Sequence, residues 1–184
     1  EIFSARFDGP TEGPYSRDQA ARFLTQASFG PTLEEIERLN TIGYNAWLTE
    51  QMAAPASLQL PFLDQLIQEA INAQQPINVW QDARTALVGT ACDDSNALTG
   101  NDQLRQRVAF ALSEILVISD QNGALEGNPT AISHYYDQLA LNAFGNYRTL
   151  LEQVTLHPAM AQYLSMFRNR KPDASLNIRP DENY

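Results

Sequence analysis

The stretch "DQLRQRVAFALSEILVIS", Asp102 to Ser119, places Leu104, Val108, Ala111, Leu112, Ile115 and Leu116 at i, i+4, i+7, i+8, i+11 and i+12. That spacing lines side chains along one side of a helix; a strand, with a period of two, scatters them over both faces. Toward its end the run is apolar almost all round. It therefore reads as a central helix buried by its neighbours. A chain built around such a segment needs other amphipathic helices to cover it.

The rest of the sequence supplies them. "SRDQAARFLTQAS" opens on Ser16 with Gln19 three residues on, a capping-box pattern, and sets Ala20, Phe23, Leu24 and Ala27 on one face. Gly30 and Pro31 separate it from "TLEEIERLN", where Thr32 and Glu35 repeat the box and Leu33, Ile36 and Leu39 form the stripe. After Gly43, "YNAWLTEQM" turns Trp47, Leu48 and Met52 inward. "FLDQLIQEAINA" and "INVWQDARTALVGTA" read as two further helices. "AISHYYDQLALNAF" presents Ile132, Tyr135, Tyr136, Leu139 and Phe144; Asn146 caps "YRTLLEQVTL", and His157 with Pro158 begins "PAMAQYLSMF". No internal repeat and no convincing strand is visible. The expected fold is all-α, an irregular antiparallel bundle of roughly nine helices with a polar C-terminal tail. Residues 1–184 read as a single helical domain, with 1–15 and 168–184 extended or loop.

With 184 residues, 43% of them hydrophobic, the chain can bury a core without disulfides or metal. Its formal net charge of −10 argues against nucleic acid and anionic membrane surfaces as partners. No apolar run approaches the length of a membrane span. The single cysteine, Cys92, makes neither an internal disulfide nor a cysteine-rich zinc site.

Chemistry-bearing residues are few. Two acidic loops, with Asp93 and Asp94 in one and Asp120 in the other, are candidate calcium ligands. Neither follows the twelve-residue calcium loop, which needs glycine at position six and glutamate at twelve. Counting from Asp93 gives Leu98 and Leu104; counting from Asp120 gives Leu125 and Ala131. Calcium is thus the one conceivable cofactor, through an irregular oxygen site, and none is expected. Glu114 sits inside an apolar helical run, where a carboxylate needs an arginine partner or a raised pKa. With Asp137 and His157 it makes a candidate acid–base set. Arg168, Arg170 and Lys171, with Arg179 beyond, form the one basic cluster, a candidate anion or partner site that also suits a helix C-terminus.

The segments "AARFLTQASFGPTLEEI", "QLRQRVAFALSEILVISD", "NAFGNYRTLLEQVTLHPAM" and "RPDENY" resemble the bacterial domain-of-unknown-function family numbered 1800, from Ala20 to Tyr184. The resemblance implies a mainly helical and often exported protein, often encoded beside a sulfatase-like companion, and no particular activity. Some members carry a Trp-His-Asn-His-Phe run where this chain has "FALSEILVIS", so metal chemistry based on those histidines does not transfer. Members also continue beyond "ENY", so the chain reads as an N-terminal portion. The expected function is an exported helical scaffold, assembly or partner-binding protein in the periplasm or outside the cell. It would engage a protein partner or the C-terminal remainder of the same protein. The alternative is part of a hydrolase acting on a cell-surface polymer, its site completed by residues beyond Tyr184.

Overall fold

A computed structural model of the chain describes residues 12–74 and 101–180. Eight helices lie within them: α1 (Arg17–Ala27), α2 (Leu33–Ile42), α3 (Tyr44–Ala53), α4 (Gln59–Asn72), α5 (Gln103–Ser113), α6 (Pro129–Leu141), α7 (Tyr147–Thr155) and α8 (Pro158–Tyr163). The fold is all-α; among the described residues the only β feature is an isolated antiparallel bridge between Asp173 and Ile178. The helix expected over 77–91 and the acidic loop with Asp93 and Asp94 fall outside the described residues.

Local spacing sets several helix starts. The Ser16 hydroxyl accepts the Gln19 N–H, Thr32 accepts that of Glu35, and Asn146 accepts those of Arg148 and Thr149. Each satisfies donors that a helix leaves orphaned in its first turn. In the first box Gln19 reaches back to the Tyr15 N–H at 2.9 Å. In the second the box is only half made, because Glu35 turns to the Trp47 indole instead. Gly43 ends α2 and starts α3 with φ +84°, a left-handed value that glycine adopts without strain.

Two clusters form the core of the described residues. Ala20, Leu24, Ala27, Ile36, Leu39 and Trp47 close the α1–α3 end. Ala109, Leu125, Tyr135, Leu139, Ala140, Leu150, Val154, Ala159 and Met160 fill the other. Helix α5 ties them together, with Leu104 packed on the first and Ala109 inside the second.

The central helix is α6 and not α5. It packs on α4, α5, α7 and α8 and buries six of its residues, Ser133 and Asp137 among them. Helix α5 is shorter than its apolar run, because it ends at Ser113. The chain leaves the helix there, and Ile115 is 67% exposed with Val117 also facing out; Phe110, within the helix, lies on its outer face. Other expected core positions are outside as well, Ala111 among them. Leu33 occupies the first position of α2 and is 82% exposed, and Met52 lies in the last turn of α3 and is half exposed.

Candidate functional site

Three helices begin without a side-chain cap of their own: α3, α4 and α5. Two of these starts receive one from a distant helix. At α4, the Asp137 carboxylate from α6 accepts the Gln59 N–H at 2.6 Å and the Leu60 N–H at 2.9 Å. Negative charge at a helix N-terminus is favoured by both the orphan donors and the helix dipole. Asp137 is 4% exposed, and that burial holds its pKa above the ordinary carboxylate value. The two N–H donors and nearby His134 pull the other way without cancelling it. At α5, the Gln51 amide oxygen from α3 accepts the Leu104 N–H at 3.0 Å, while its amide nitrogen donates to the Asn101 carbonyl.

Buried Asp102, just before α5, fixes the approach to α4. It accepts from the Ser57 N–H (2.8 Å), the Ser57 hydroxyl (2.9 Å) and the Gln106 amide (2.9 Å). Arg105 does the reverse at helix ends. Its guanidinium donates to the Met52 and Ala54 carbonyls at the end of α3 and to Ala140 at the end of α6, and lies 4.6 Å over the Phe144 ring. A cation there complements two helix C-termini at once.

The two histidines meet. His134 on α6 and His157 at the start of α8 approach with Nδ1 and Nε2 2.8 Å apart and rings nearly parallel, and the Tyr135 ring meets His157 edge-on. His157 also caps α8, its Nδ1 accepting the Ala159 N–H at 3.1 Å. Burial, and then the neighbouring His134, lower the His157 pKa below 6.5.

The three candidate acid–base residues thus hold separate posts. Asp137 caps α4 and His157 caps α8. Glu114 is the residue after α5, exposed and without an ion pair among the described residues, so the arginine partner expected for it is not needed. It shares the solvent face of α5 with exposed Phe110 and Ala111. Asp120 accepts from the Gln121 amide in the loop before α6. No group of three histidine, cysteine or carboxylate side chains suited to a metal occurs among the described residues. Arg168, Arg170, Lys171 and Arg179 are all exposed; Arg168 lies over the exposed Phe167 ring at 5.0 Å.

An open cleft of about 460 Å³ lies between α1, α2, α3 and the start of α5, lined by Glu34, Glu35, Arg38, Glu50, Gln51 and Gln103 among others. Arg38 bridges the carboxylates of Glu35 and Glu50, and Trp47 Nε1 donates to Glu35 at 2.7 Å. Sequence spacing hinted at the first of these pairs, because Glu35 and Arg38 stand three apart on one helix.

These features define a helical bundle whose buried polar side chains serve mainly to start and end helices. The chain belongs to the family described as "Protein of unknown function (DUF1800)", which matches residues 22–184. No curated protein and no solved structure matches it.

Proposed function

We propose that this chain is the partner-binding helical part of an exported bacterial scaffold or assembly protein. The observation that carries this reading is the surface at the end of α5. Phe110, Ile115 and Val117 are exposed there in the most apolar stretch of the sequence. Phe29 meets Phe110 edge-on with centroids 6.0 Å apart, and Arg107 lies over both rings. Clustered aromatic and aliphatic side chains with an arginine are the composition of an interface centre. Contiguous exposed apolar surface is a mark of interaction sites.

Replacing Ile115 and Val117 together by glutamate should leave stability within roughly 1 kcal/mol, since both side chains already face water. In the cells that make it, the natural protein should migrate on size-exclusion columns in a larger complex, and the variant should migrate free. Identical elution of the two contradicts the reading. Export is tested by fractionation of the same cells.

A second reading, part of a hydrolase acting on a surface polymer, draws on the α1–α3 cleft. Glu34, Glu35 and Glu50 gather there, whereas Glu114, Asp137 and His157 are posted elsewhere.

A further inference from the structure

Only one proton arrangement satisfies the two histidines. The Ala159 N–H points at His157 Nδ1, so that nitrogen carries no proton. Neutral His157 then holds its proton on Nε2 and donates it to His134 Nδ1 across 2.8 Å, which leaves the His134 proton on Nε2. A further proton on either ring breaks a contact. On His157 it lands on Nδ1, against the Ala159 N–H and against the dipole of α8. On His134 it lands on Nδ1, against the His157 proton. The same logic disfavours a metal at His157 Nε2, because a neutral metal-bound ring needs its proton on Nδ1.

We infer that the His134–His157 pair is an acid-sensitive latch: it holds α8 and the segment after it on the bundle while both rings are neutral, and releases them when either is protonated. Helix α8 has six residues and little intrinsic stability of its own. It stays through Ala159, Met160 and Ala161, buried against α6 and α7, and the following chain hangs from it through the Phe167 N–H to Ala161 carbonyl bond. The surroundings permit the switch. On α6, Asp137 is the carboxylate that interacts electrostatically with His134. The Tyr135 and Tyr136 hydroxyls are pushed up by burial and stay neutral. Tyr147, Arg148 and Glu152 on α7, Tyr163 on α8, Asp64 and Glu69 on α4, and Arg105 and Arg107 on α5 complete the titratable set of the packed helices. None of them forms an ion pair with either ring. The His157 pKa is depressed, so its contribution is fully present above 6.5 and is lost as pH falls through the depressed value.

The test is nitrogen-15 histidine spectroscopy and amide hydrogen exchange on the intact chain. At about pH 7.5 both rings should be neutral with the proton on Nε2, and acidification to about pH 5 should lower protection of Ala161 and Leu164, corrected for intrinsic exchange, by roughly tenfold or more. His157→Asn supplies a cap that does not titrate and should hold protection constant across that range. A His157 proton on Nδ1 at neutral pH overturns the proposal. So does protection that is unchanged on acidification, or an Asn variant that responds to acid as the natural chain does.

Discussion

Asp137→Ala should destabilise the bundle by about 2–4 kcal/mol, because it removes the acceptor of two buried N–H groups at a helix start that has no other cap. The net figure stays below the sum of two charge-assisted bonds because the buried carboxylate is itself costly, as its raised pKa records. Asp137→Asn keeps an acceptor for one N–H and should cost about half as much. The pH dependence carries a sign. A carboxylate with a raised pKa in the folded state contributes stability that is fully present below its unfolded value of 3.8 and is lost as pH rises through the folded one. The Asn variant lacks this loss, so its deficit should be largest in acid and shrink toward neutrality. Urea unfolding at several pH values measures both effects.

Trp47→Ala should be at least as severe, about 3–5 kcal/mol, because it empties the centre of the α1–α3 cluster. The side chain is 1% exposed, meets Phe23 edge-on at 5.3 Å, and donates its indole N–H to Glu35. In a chain of this length that loss should lower the melting temperature by roughly 10 °C. Trp47→Phe keeps most of the volume and loses the hydrogen bond, so about 1–2 kcal/mol separates it from the natural chain. A Trp47→Phe variant as unstable as Trp47→Ala would mean that the bond to Glu35, and not packing, holds this end together. Calorimetry of the two variants decides it.

Much of the fold is legible in short-range spacing. Ser16, Thr32, Asn146 and His157 cap the helices they precede, because a cap and its N–H lie two or three residues apart. The long-range caps have no such signature. Asp137 and Gln59 are 78 residues apart, and Gln51 and Leu104 are 53 apart. The His134–His157 contact spans 23 residues and crosses between helices, so the two rings read as unrelated until the chain is folded. The end of α5 is hidden for a different reason. No glycine or proline lies between Ser113 and Asp120, and the apolar period continues through "EILVIS". Periodicity therefore overstates the helix and assigns Ile115 to the core. It also passes over α6 as the hub, since two of that helix's inward residues, Ser133 and Asp137, are polar and are buried against other helices.

That misplaced segment is where the functional account is most exposed to test. A photo-cross-linking residue at position 115 of the natural protein, in the cells that make it, should give one discrete adduct with a protein partner. The same residue at Glu34, on the cleft, should give none. The account is contradicted if position 115 yields no adduct, or if the purified chain cleaves a cell-surface polymer and Glu34→Gln with Glu50→Gln abolishes that cleavage.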